Sequence, residues 1–344
     1  MMKKLPMSRI GELFSAIDEK KELYLPVFKA GKTNYERWTK DAKVKLNVLN
    51  TVKSPKDMFF PQSEDLVAFK MQDKNIEVLP PEEPDTPFVV FGVRPCDNKS
   101  LDILDMVFLA EPVDTYYKAR RENGVVVGLA CSEPEETCFC GAFGIDATQA
   151  NGDVATWITG DTLYWKPLTQ KGEELTAQVE SLFEDAEDSE IDGAVAKAKE
   201  ILDQLPLKDL SLKGFDGDAT GRLFDSPKWE ELYRACIGCG TCTFVCPTCQ
   251  CYDIRDFDTG HGIKRYRCWD SCMYSDFTRM AHGNPRKTQL ERFRQRFMHK
   301  LVYFPANNGG EYSCVGCGRC VSKCPISMNI VKVIKALGET EDGK

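Results

Sequence analysis

Histidine is scarce in this chain: there are three, at 261, 282 and 299, with no ligand spacing among them. No Ser-His-Asp or Cys-His constellation emerges either, so nucleophilic catalysis of those kinds has no support. Phosphate-binding glycine loops are also missing. No G-x-G-x-x-G follows a strand pattern and no G-x-x-x-x-G-K-[ST] occurs, which leaves dinucleotide and nucleoside triphosphate binding without a motif. No apolar run approaches the roughly 18 residues that a membrane-spanning helix needs. The first residues reach Pro6 and Arg9 before any apolar stretch develops, so no signal peptide is expected. The net charge of −8 argues against nucleic acid as a partner. What the chain holds in excess is cysteine, sixteen in 344 residues. Without an export signal, that many thiols implies a reducing compartment in which they act as ligands, and the cytoplasm of an anaerobic cell is the expected location.

Half of these thiols fall into two matching runs. Cys236-Ile-Gly-Cys239-Gly-Thr-Cys242-Thr-Phe-Val-Cys246-Pro247 is answered 78 residues later by Cys314-Val-Gly-Cys317-Gly-Arg-Cys320-Val-Ser-Lys-Cys324-Pro325. In a C-x2-C-x2-C-x3-C-P run, three thiolates on a tight loop reach three corners of a cubane, and the fourth points at the neighbouring cluster. The expected ligand sets are therefore crossed: Cys236, Cys239, Cys242 and Cys324 for one [4Fe-4S] cluster, and Cys314, Cys317, Cys320 and Cys246 for the other. Zinc fits poorly, because three cysteines at successive two-residue gaps crowd one tetrahedral ion. Disulfides fit poorly in a reducing compartment.

With 42% hydrophobic residues, the chain can build two or three domains with their own cores. Residues 1–85 read as mainly helical, closed by the proline-rich break Pro80-Pro81-Glu82-Glu83-Pro84. Residues 87–94 read as a buried strand, about 98–109 as a helix, and 124–130 as a second buried strand. That order predicts a parallel pair in an α/β domain over 86–210. A hairpin is expected over 156–165, turning at Gly160-Asp161. Residues 171–205 carry eleven acids against three lysines and read as solvated helical faces. A Gly/Asp-rich linker at 213–218 opens the last region, 211–344, expected to be a two-cluster bacterial-ferredoxin-like domain with a long helical insertion. The fold class is thus α+β.

Each of the two buried strands ends in a cysteine loop, Arg94-Pro-Cys96-Asp97 and Cys131 through Cys138-Phe-Cys140. Adjacent parallel strands put both loops at one sheet edge, where four thiols suit another cubane, a zinc ion or buried packing cysteines. The Arg94-Pro-Cys96-Asp97 and Cys138-Phe-Cys140 loops resemble one family when taken with three further motifs: Cys246-Pro-Thr-Cys249-Gln-Cys251, Trp269-Asp-Ser-Cys272 and Gly283-Asn-Pro-Arg286. It comprises the iron-sulfur subunit of anaerobic sulfite reductase and the beta subunit of archaeal sulfhydrogenase, and the likeness covers roughly 88–330. The resemblance implies an electron carrier with three [4Fe-4S] clusters, the third on Cys96, Cys131, Cys138 and Cys140. It also implies a place between two partners, with a flavin-containing NAD(P)H-reactive subunit on one side and a catalytic subunit on the other.

Cys249, Cys251, Cys268 and Cys272 remain. The expectation is buried thiols near the clusters, with a fourth metal site or redox thiols as the alternatives. The ten lysines and arginines of 260–304 have two readings: cations near anionic clusters, or a solvated face bridged to the acidic segment.

Overall fold

The computed structural model describes residues 1–72, 75–80 and 84–338. The first segment contributes β1 (Met2–Pro6), β2 (Glu22–Lys29), β3 (Lys32–Arg37), β4 (Ser63–Gln72) and β5 (Asn75–Leu79). Residues 1–85 are therefore not mainly helical; their helices are Ile10–Asp18 and the single turn Lys56–Phe59, besides a 3-10 turn. The strand signal in β2 is the period-two burial of Leu23, Leu25 and Val27, masked by Pro26, which argues against a central strand. Pro26 pairs with Tyr35 of β3, and it is tolerated because the parallel pairing on the other side of β2, to Phe88–Val90, ends at Tyr24. The centre of the proline-rich break, residues 81–83, lies outside the described residues.

Next come β6 (Phe88–Val93), β7 (Gly124–Leu129), β8 (Val154–Thr159), β9 (Thr162–Pro167) and β10 (Glu184–Ala186). They join β1, β2 and β3 in an eight-stranded sheet of order β10-β1-β9-β8-β7-β6-β2-β3. β2, β6, β7 and β8 run parallel, and β8 and β9 form the hairpin expected at Gly160-Asp161. Every residue of β6 and β7 is buried, as a strand covered on both faces requires. Val89 and Phe91 face one core with Leu13, Phe14 and Trp165, while Phe88 and Val90 face another with Phe59, Leu101 and Tyr117. Helix Pro95–Phe108 starts directly after β6, its proline at the first turn and Arg94 extended before it.

The chain ends in an α-rich unit whose core joins Trp229, Phe293, Phe297, Leu301 and Ile334 to Phe139 of the second cysteine loop. The insertion between the two cysteine runs is only partly helical. It opens with β11 (Tyr252–Asp258) and β12 (Ile263–Trp269), an antiparallel hairpin. That hairpin pairs with β4 in a second sheet of order β11-β12-β4-β5. The charges interleaved in these strands suit an exposed sheet face, and they mask the period of two. Helix Gln289–Met298 follows, started by a Thr288/Glu291 capping box, and it runs on into a π-helical turn, His299–Tyr303. Among the described residues no helix is long and apolar enough to cross a membrane.

Candidate metal centres

Each cysteine run is a loop ending in one helical turn. Gly238 and Gly240 have φ of 68° and 74°, and Gly316 and Gly318 of 59° and 78°, the left-handed values that let the loop turn back on itself. Cys242 lies in the short helix Thr241–Phe244 and Cys320 in Arg319–Ser322, and these two helices pack on each other. The packing brings one cysteine of the first run to the second. Cys246 of the first run faces Cys314, Cys317 and Cys320 of the second. Cys236, Cys239 and Cys242 gather separately. Cys324 follows the second short helix, its thiol against the Met328 carbonyl at 3.3 Å. Of the sixteen thiols, Cys239 is the exposed one.

The four N-terminal thiols also meet. Cys96 sits in the first turn after β6, Cys131 just past β7, and Cys138 and Cys140 on the loop beyond. All four are buried and line one cavity together with Arg94, Ala147 and Cys317. Burial pushes the Cys138 and Cys140 thiols up to about 12, so neither carries a thiolate here without a cation to hold it. This group abuts the second run closely. The Phe139 amide donates to the Gly316 carbonyl at 2.9 Å, and a Cβ on Gly316 would come within 2.4 Å of the Phe139 oxygen. Beneath the contact Arg319, 1% exposed, forms a forked ion pair with Asp97 and donates through Nε to the Thr51 carbonyl at 2.9 Å. Two buried hydroxyls without a partner, Thr137 and Ser313, each precede a cysteine of these groups by one residue. Unspent donors beside thiols suit a sulfur-rich anion.

Residues 235–328 match the family model for a 4Fe-4S dicluster domain. Over 338 residues the chain is 32% identical to sulfhydrogenase 2 subunit beta of Pyrococcus furiosus, with 98% of each chain covered. The chain belongs to the sulfhydrogenase beta-subunit family. It is an iron-sulfur electron-transfer subunit, and its dicluster domain carries two [4Fe-4S] clusters.

In this member of the family the basic stretch divides residue by residue. Lys264, Arg265 and Arg267 serve the second sheet, paired with Asp65, Asp256, and Glu64 plus Asp114. The acidic segment is not their partner: Glu180, Asp185, Asp188 and Glu190 pair with Lys3, Lys4 and Lys166. Arg296 and Lys300 turn inward. Arg296 donates through Nε to the Cys242 Sγ at 2.9 Å and through Nη2 to the Cys242 carbonyl at 2.7 Å. The Lys300 ammonium donates to the Thr248 hydroxyl at 2.8 Å and the Ser313 carbonyl at 2.7 Å. Burial pulls the Lys300 pKa down, but the thiols of Cys246 and Cys249 outweigh it and raise the value overall. Lys56 completes this side, donating to the carbonyls of Cys246 at 3.1 Å and Cys249 at 2.8 Å. No sequence signal marks Lys56, a lone lysine far from either run.

The remaining thiols do not form one set of four. Cys249 lies beside Cys246, and Cys251 beside Cys272. Cys268 lies apart on β12, opposite Asp253. Among the described residues no group of three or more Cys, His, Asp or Glu side chains is gathered for a single metal ion.

Proposed function

We propose that the chain relays single electrons through three [4Fe-4S] clusters held in series. The sets are Cys96, Cys131, Cys138 and Cys140; then Cys314, Cys317, Cys320 and Cys246; then Cys236, Cys239, Cys242 and Cys324. A cubane accepts and returns one electron at a time. The observation that carries this reading is the shared cavity at Cys317, which joins the N-terminal thiols to the second run. On the other side Arg296 touches Cys242 and lies in the field of Cys246 and Cys320, linking the two ferredoxin-type sets.

The exposed Cys239 makes the far end of this series a point of electron exchange with a partner, with Ile237, 63% exposed, beside it as an apolar contact. The partners are a flavin-containing NAD(P)H-reactive subunit, which splits a hydride into single electrons, and a catalytic subunit that reduces sulfite, sulfur species, protons or a disulfide. The chain is read as a carrier: Cys268 has Arg255, Asp253 and Asp270 beside it and not Cys249, Cys251 or Cys272, so these four do not make a further cluster site. Iron and zinc analysis of anaerobically purified protein tests the scheme. About twelve iron atoms per chain are expected, with low-temperature magnetic resonance signals from three reduced cubanes; about eight irons with one zinc would overturn it.

A further inference from the structure

A buried cation without a carboxylate is costly unless another anion lies within reach. This chain buries three around one group of thiols: Lys56, Arg296 and Lys300 are 2%, 2% and 3% exposed. Among the described residues none of them is ion-paired to a carboxylate. Arg267 and Arg319, equally buried, are paired with Glu64 and Asp114 and with Asp97. They come from two places in the chain: the turn Lys56–Phe59, and helix Gln289–Met298 with the π turn His299–Tyr303 that continues it. Their donors end on a thiol, a hydroxyl and carbonyls of Cys242, Cys246, Thr248, Cys249 and Ser313. Trp269 closes the outer side, its ring centroid 3.6 Å from the Lys56 ammonium. Thr248 lies between Lys300 and Cys246, its hydroxyl 3.3 Å from the Cys246 Sγ while accepting from Lys300 and donating to the Ser313 carbonyl at 2.8 Å. Around the N-terminal thiols the balance differs: Arg94 and Arg319 act there against Asp97 and Glu135.

We propose that Lys56 and Lys300, with Arg296 shared with Cys242 of the adjoining set, form a buried cationic cage that raises the reduction potential of the cluster at Cys246, Cys314, Cys317 and Cys320. Its reduction potential then lies above that of the cluster at Cys96, Cys131, Cys138 and Cys140. The inference rests on the electron-transfer scheme above. Each step moves one electron from the neighbouring cluster, with no bond made or broken and no proton moved. The added charge is attracted by the cations in a low-dielectric interior, so the cage favours the reduced state. Arg296 and Lys300, whose charge the thiols hold, attract it most firmly, and Lys56, whose pKa burial lowers, attracts it less.

The test is an anaerobic redox titration of the full chain followed by magnetic resonance, with iron measured in parallel. Lys56→Met and Lys300→Met are each expected to lower the reduced-to-oxidised ratio of this cluster about tenfold at a given poise, or about 59 mV for one electron. The signal that disappears in Cys131→Ser should stay where it is, and Lys300→Arg should titrate close to the parent. Full iron with unmoved midpoints in both methionine variants, or an equal shift of every signal, would overturn the cage. If Lys300→Met loses iron, retention by Lys300→Arg supports the charge requirement, loss in both variants counts against it, and Lys56→Met is read independently. Lack of cubane signals in the parent chain would instead overturn the electron-transfer scheme.

Discussion

Arg319 shows how much one side chain carries here. It follows Gly318 in the second run, yet its guanidinium is spent on Asp97, beside Cys96, and on Thr51. Removing one partner of a buried pair strands the other charge, so Asp97→Asn is expected to cost about 3–5 kcal/mol, read as a lower denaturant midpoint with an unchanged slope. Gly318→Ala tests the neighbouring contact. At φ 78° a Cβ would stand 2.6 Å from the Thr137 carbonyl oxygen. The left-handed backbone alone costs about 1–2 kcal/mol in a residue with a Cβ, so melting should fall by a few degrees even with iron bound. The glycines stand between cysteines in the sequence itself. The salt bridge was not legible there, because Asp97 and Arg319 are 222 residues apart.

Among the elements, β12 is decisive. It leaves the dicluster region to pair with β4, and Arg267 at its centre is held by Glu64 and Asp114 from the first half of the chain. Arg267→Met strands those carboxylates and is expected to cost about 3 kcal/mol, while Lys264→Met, on a pair about half exposed at both ends, should change stability by less than about 0.5 kcal/mol. Comparing the two urea transitions checks this. The parallel strands β6 and β7 were readable because continuous apolar runs are what a doubly covered strand requires. β2 and the β11/β12 hairpin were not, since a proline interrupts one and charged side chains fill the other. The π turn that carries Lys300 had no signature in its residues at all.

At the scale of the whole molecule, three groups of thiols lie in sequence, from the sheet edge through the second run to the exposed Cys239. Cys131→Ser should remove about four irons and one spectroscopic signal, leaving the two-cluster signature of the ferredoxin-type runs intact. A loss of all iron in that variant would mean the sets cannot assemble separately. Ligand spacing within a run is a local property, settled by a dozen residues, so the sequence alone determined which thiols belong to the dicluster domain. The grouping of the two N-terminal loops followed from strand adjacency, one step less local. Tertiary structure alone decided which cations surround the thiols. Lys56 and Cys246 are 190 residues apart, and a buried charge is placed by the packing that removes water from it, which no local pattern of residues encodes.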